Sequence, residues 1–139
     1  MKLVWIVCIF VVTLMASDAQ REAEGLNAHN NFSEAIEEAQ KEHKMLFLLV
    51  VTNHCRWCQR MVYKTLIDER VHAELQSATV LLVLDKNDVM PYEFKSEIYP
   101  STYFINPKTQ KSVWGNVGYV TQEVFLKDLS TAQGMMKLK

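Results

Sequence analysis

What this sequence lacks is surplus charge, cysteine and any cluster of histidines. The formal net charge is −1, so no basic excess exists to hold a nucleic-acid backbone. Three cysteines occur in 139 residues. Disulfide-stapled secreted domains carry several bridges between distant segments, and the cysteine count argues against that design. A closed zinc site takes four ligands, usually two C-x-x-C pairs or one pair with two histidines. Only one C-x-x-C occurs, and His29, His43, His54 and His72 are scattered without metal-ligand spacing. Haem attachment wants histidine directly after the second cysteine, where Gln59 stands. No metal and no cofactor are therefore expected. Internal repeats and low-complexity linkers are absent too, and the length argues for one domain. The ending Met136-Lys137-Leu138-Lys139 is not a KDEL-type retention signal.

The first segment that is informative reads as an export signal. Met1 and Lys2 give a short positive end, and Leu3 to Ala16 is apolar apart from Thr13. The run is shorter than the roughly 20 apolar residues of a spanning helix. Ser17-Asp18-Ala19 places small residues where a signal peptidase reads, so residues 1–19 are expected to be removed before Gln20. The alternative is an uncleaved anchor through 3–16. Cys8 lies in this segment, so the mature chain keeps Cys55 and Cys58. A bridge closing so small a gap constrains little chain entropy, which makes a purely structural staple a weak reading.

Residues 20–31 read as a polar leader. Phe32, Ala35, Ile36 and Ala39 then form one helical stripe, with Asn31 or Ser33 as cap and an end near His43-Lys44. Met45 to Val51 is a continuous apolar run, as in a strand buried on both faces. After the cysteines, Met61, Val62 and Leu66 predict a helix to about Thr65, with Val71 to Gln76 continuing it or adding a turn. Thr79 to Leu84 is a second buried strand, closed by the polar Asp85 to Asp88. Met90 to Glu97 predicts a short helix with Pro91 in its first turn. Ser101 to Ile105 and Ser112 to Trp114 predict a hairpin around Asn106 to Thr109, with a bend between Gly115 and Gly118. Thr121 can cap a last helix with Val124, Phe125 and Leu129 in the core. Residues 133–139 are left as a tail. This order predicts an α/β fold, a mixed four-stranded sheet with helices on both faces.

In that order, "TNHCRWCQRM" places the cysteines at the carboxyl end of a central strand and the start of a helix. A helix start presents free N–H groups and partial positive charge, which stabilises a thiolate. Cys55 is then the exposed sulfur, and Cys58 lies one turn on, on the same face. The spacing suits attack by Cys55 on a disulfide and resolution by Cys58. Arg56 adds a cation, His54 a second cation or a proton-transfer group, and Trp57 a flat apolar surface. For Arg56 and Trp57 the alternative is simple exposure between two cysteines.

From about Phe32 to Leu129 the sequence resembles the thioredoxin-like superfamily, and within it small exported thioredoxin-related proteins of bacteria. The landmarks are "FSEAIEEAQKEHKMLFLLV", "CRWCQRM", "VLLVLDKND", "IYPSTYFINP" and "VGYVTQEVFLKDL". The resemblance implies a thioredoxin-like fold over 32–132, Pro100 as a cis-proline facing the pair, and Tyr99 offering its backbone to a substrate strand. It also implies a Cys55–Cys58 disulfide in the oxidised state. Two departures stand out. Leu49 and Leu81 occupy positions where many thioredoxins pair a buried acid with a lysine, which leaves the Cys58 proton acceptor unassigned. His54 replaces a tryptophan common before the first cysteine. Both departures point away from a general reductase and toward a dedicated partner.

The expectation is an exported thiol–disulfide oxidoreductase of the bacterial periplasm, or outside the cell. It would reduce protein disulfides as a monomer supplied by a membrane electron donor, with no nucleic-acid partner. The opposite direction, oxidase or isomerase, uses the same chemistry. A different class is also open: a redox-inert binding or chaperone-like module that uses the same groove.

Overall fold

The computed structural model of the chain describes residues 16–137. Most of the expected export signal therefore lies outside the described residues. Its last residues do not. Ser17 caps helix α1, Asp18–Leu26, in a reciprocal capping box with Gln20. Residues 20–31, expected as a loose leader, are thus largely helical. The reason is a buried stripe at helical spacing, Ala19, Glu22, Ala23 and Leu26, which reads as polar because two members are alanines and one is charged. Expected processing before Gln20 falls inside this helix. After α1, His29 pairs with the outer edge of strand β2, Thr79–Asp85. Its N–H donates to the Leu81 carbonyl at 2.8 Å, and its carbonyl accepts the Val83 N–H at 2.9 Å. That pairing covers backbone groups which an open sheet edge would leave free.

Helix α2, Phe32–Glu42, starts at Asn31, whose side chain accepts the Glu34 N–H. Strand β1, Met45–Val51, is buried throughout. Helix α3, Arg56–Arg60, runs on as a π-helical stretch, Met61–Leu66. Asp68 caps a separate helix α4, Glu69–Ala78, which leads into the fully buried β2, Thr79–Asp85. Between 90 and 97 the expected helix shrinks to one 3-10 turn, Tyr92–Phe94, with Pro91 as its cap rather than in its first turn. Strands β3, Ser101–Asn106, and β4, Lys111–Val117, form the hairpin. Gly115, expected in a bend, lies within β4, where an added Cβ would come within 3.0 Å of the Thr102 carbonyl oxygen. Gly118, at φ +84, makes the turn. Helix α5, Gln122–Lys137, absorbs most of the expected tail. It buries Phe125, Leu129 and Ala132, whereas Val124, expected in the core, is half exposed.

The sheet order is β2-β1-β3-β4. β1 and β2 are parallel, β1 and β3 antiparallel, as are β3 and β4. Alternation along the strands divides the core in two. Leu46, Leu48, Val50, Val80, Leu82 and Leu84 pack with α2 residues Ala35, Ile36 and Ala39. Met45, Phe47, Leu49, Val51, Leu81 and Val83 face the other way, toward α1, the α3 helix, α4 and α5. There Phe47, Phe104 and Phe125 form a trio with ring centroids 5.2 to 5.9 Å apart. Such pairs add roughly 0.5–1.5 kcal/mol each beyond the area they bury.

The exception on this face is Glu22, 4% exposed, whose Oε2 has no hydrogen-bond partner. Burial pushes its carboxyl up to about 7 from an ordinary 4.5, Asp18 adds to the rise, and Arg21 opposes it. The folded state therefore keeps a proton that the unfolded chain releases first. Stability is full below pH 4.5 and falls as pH rises through about 7, by at most about 3 kcal/mol at roughly 1.36 kcal/mol per pKa unit. Urea unfolding between pH 5 and 8 should show this decline in the native protein and a much flatter course in Glu22→Gln. Parallel curves would contradict it.

Candidate active site

Strand β1 delivers the chain to the site and a strained turn reverses it. His54 has φ +56, a left-handed conformation that histidine tolerates better than most side chains. Helix α1 holds this turn in place. The His54 N–H donates to Asp18 Oδ2 at 2.8 Å, and the Asp18 N–H donates to Asn53 Oδ1 at 3.4 Å. Arg21 also pairs with Asp18. The His54 hydrogen bond, helped by Arg21, holds the Asp18 carboxyl below its ordinary value despite some desolvation.

Cys55 is the N-cap of α3. The Cys58 N–H points at Cys55 Sγ, 3.1 Å away, and the Gln59 N–H donates to the Cys55 carbonyl at 3.1 Å. A free helix-start N–H thus aims directly at the first sulfur. Cys55 and Cys58 form a disulfide with Cα atoms 5.2 Å apart. Cys55 is partly exposed, while Cys58 is 0% exposed. The two sulfurs therefore differ in access, as the helix-start argument requires. The π-helical stretch that follows is tied to the segment before α5 and to the first residue of that helix. Thr65 Oγ1 donates to the Val120 carbonyl at 2.7 Å, and Gln122 Nε2 donates to the Lys64 carbonyl at 2.9 Å.

Pro100 enters from the neighbouring strand. Ser101 pairs with Val50, so Pro100 stands beside the last residue of β1. The Tyr99–Pro100 bond is cis. The Pro100 carbonyl accepts the Gly118 N–H at 2.7 Å, and the Tyr99 hydroxyl donates to the Ser96 carbonyl. Burial, with the Asp85 carboxylate second, raises the Tyr99 phenol above its ordinary value. Cys55, Tyr99 and Tyr119 all pack, partly buried, against the core cluster that contains Cys58.

Trp57 is 51% exposed and stacks at a tilt on Tyr119, 5.8 Å between centroids. Arg60 lies over both rings. Its guanidinium lies 5.4 Å from the Trp57 centroid and 5.2 Å from that of Tyr119, an arrangement worth roughly 0.5–1 kcal/mol when exposed. Arg56 is exposed, with no salt bridge among the described residues. Sequence reasoning missed Asp18, Arg60 and Tyr119. Asp18 reads as part of the export signal, and Tyr119 reaches the motif only through tertiary packing, but Arg60 lies on α3 three residues after Trp57, a helical spacing that could have found it. No group of residues able to hold a metal ion occurs among the described residues.

The family model described as Thioredox_DsbH, "Protein of unknown function, DUF255", matches residues 19–123. No curated protein matches the sequence. Among solved structures the chain is similar to a thioredoxin from Thermus thermophilus, with TM-score 0.67 and 23% identity over 76% of this chain and 86% of that one. The oxidised DsbD C-terminal domain of Neisseria meningitidis gives TM-score 0.58 and 20% identity over 72% and 95%. A protein described as a DsbH oxidoreductase gives 0.54 and 18% over 81% and 88%. At these identities the likeness is one of fold.

Asp18→Ala should release the turn before Cys55 and cost about 1 kcal/mol in urea unfolding, below the usual range for a hydrogen bond to a charged group because the contact borders solvent. Asp18→Asn keeps an acceptor and should recover part of the loss. Unchanged stability in Asp18→Ala would remove α1 as the fastener of the turn.

Proposed function

The chain belongs to the Thioredox_DsbH family, and from that premise we propose that it is a thiol–disulfide oxidoreductase acting on protein disulfides. The observation that carries this reading is the asymmetry of the pair. Cys55 is reachable and faces a helix-start N–H, and Cys58 is buried behind it. Such a pair divides the work. In the reducing direction, the Cys55 thiolate attacks a substrate disulfide, forms a mixed disulfide and expels one substrate thiolate. Cys58 then attacks Cys55 Sγ, closes the intramolecular disulfide and releases the second thiolate. The substrate is reduced and the pair oxidised by two electrons.

The aromatic surface beside the pair supports protein rather than small-molecule substrates. Trp57 and Tyr119 offer apolar faces, and Arg60 lies over both. Tyr99 lies next to cis-Pro100, where its backbone would pair with an extended substrate segment. His54 keeps its backbone in the Asp18 contact, and its ring is free for proton transfer at the surface. Arg56 contributes long-range positive charge rather than a contact.

The same reading assigns export, most simply to a bacterial periplasm, from the apolar run at 3–16. It assigns reduction of substrates by a monomer recharged by a membrane electron donor. No helix among the described residues is long and apolar enough to cross a membrane. Processing upstream of Ser17 would keep α1 and its cap, whereas cleavage before Gln20 would remove Asp18. N-terminal sequencing of the mature chain decides between them.

The roles of the two sulfurs are tested by trapping. Cys58→Ser should accumulate a mixed disulfide through Cys55, and Cys55→Ser should accumulate none, read by non-reducing gels and mass spectrometry. Trapping through Cys58 would overturn the assignment.

A further inference from the structure

Cys58 is 0% exposed, so a thiolate formed there has no water to solvate it. Every opening or closing of the disulfide must move a proton to or from that sulfur. On this face of the sheet β1 and β2 present apolar side chains, including Leu49 and Leu81. The strands offer one acid, Asp85 at the end of β2. One of its carboxylate oxygens accepts the Asn87 N–H at 2.9 Å, while the other, Oδ2, is buried without a partner, which makes Asp85 the competing acid, already half engaged in its own turn.

Helix α1 supplies another acid. Ala19, Ala23 and Leu26 pack in the same core cluster as Cys58, Met61 and Val62. Glu22 shares their buried face. One turn earlier, Asp18 binds the backbone of His54, the residue before Cys55, so the start of α1 is pinned to the motif. Glu22 Oε2 is buried with no partner. Resting on the oxidoreductase reading, we propose that Glu22 is the proton partner of Cys58.

The step balances. An external thiolate attacks Cys55 Sγ and forms a mixed disulfide. The Cys55–Cys58 bond breaks, and Cys58 leaves with the electron pair. The Glu22 carboxyl gives its proton to that thiolate and becomes ionised. The second thiolate of the external dithiol then attacks the mixed disulfide and frees Cys55, so the dithiol is oxidised and the pair reduced. In the other direction, the Cys58 thiol returns its proton to the Glu22 carboxylate and attacks Cys55 Sγ of the mixed disulfide.

The charged groups around Glu22 are few. Asp18 and Arg21 lie on its own helix and act in opposite directions. Of the elements packed on α1, β2 brings Leu81 and Val83 with Asp85 at its end, and the π-helical stretch buries Met61, Val62, Thr65 and Leu66. Tyr63 and Lys64 of that stretch are exposed, and His54 meets the helix start through its backbone. An ordinary carboxyl would be fully ionised at neutral pH. Glu22, raised to about 7, has both forms available there, as proton exchange with a thiol requires.

Two measurements on the whole chain test this. The first is the rate of reduction by dithiothreitol from pH 5 to 9, corrected for the reagent's thiolate fraction. The native protein should show an inflection near the Glu22 value. Glu22→Gln should lose the inflection and slow by about tenfold at pH 6, and Asp85→Asn should keep it. The second is a carbon-13 titration of the Glu22 carboxyl in the oxidised protein and in protein reduced with a phosphine. The midpoint should differ between the two states by about one pH unit. Matching profiles for Glu22→Gln and the native protein, an effect confined to Asp85→Asn, or one common midpoint would overturn the proposal. A native protein that exchanges with no thiol would instead overturn the oxidoreductase reading. The carboxyl titration would still report whether Glu22 senses Cys58.

Discussion

A single backbone N–H, that of Cys58, points at Cys55 Sγ from 3.1 Å, and the site is organised around that contact. It exists because Cys55 is the cap of a helix rather than a member of it. A cap residue keeps extended backbone angles while its side chain meets the first free amides. Placing a sulfur in that role aims the positive end of the helix at the atom proposed to carry the nucleophilic thiolate once the pair is reduced. The same geometry carries Cys58 into the core, so one sulfur meets the solvent and the other does not.

This arrangement depends on structure outside the motif. β1 is buried along its whole length and fixes where the turn begins. The left-handed His54 is held from the side by Asp18 of α1. That helix is anchored in turn by the residues after it, which pair with the edge of β2 through His29. The N-terminal segment therefore finishes the sheet edge, fastens the turn before Cys55 and brings an unpaired acid onto the buried face of α1. A buried carboxyl with an unpartnered oxygen weakens a fold above its own pKa. Retaining one on the face that holds Cys58 is understandable if the proton it carries is used.

Much of this was legible in the sequence where the signal is local. The unbroken apolar runs at 45–51 and 79–84 declare strands buried on both sides, and the stripe Phe32, Ala35, Ile36 and Ala39 declares α2. The cysteine pair is a local motif, and its place after a buried strand is enough to put it at a helix start. The failures have a common cause. The buried face of α1 is made of two alanines, a glutamate and a single leucine, and it adjoins a segment that reads as an export signal, so hydrophobicity conceals it. Gly115 reads as a bend, yet it is the residue that lets β4 approach Tyr103 closely. Asp18 and Tyr119 reach the site by docking of distant elements, which no spacing in the sequence records, whereas Arg60 stands one helical turn after Trp57 on α3, a spacing the motif itself contains.

The central claim is that the Cys55–Cys58 pair exchanges readily with external thiols. The most direct measurement is equilibration of the pair with a series of glutathione redox buffers at pH 7, following the exposed Trp57 by fluorescence and the thiols by alkylation and mass. The account predicts a single reversible transition of two electrons, reached from the oxidised and the reduced side alike. A disulfide that stays closed across the series, or different end points from the two directions, would contradict it and leave a groove-binding module with an idle pair.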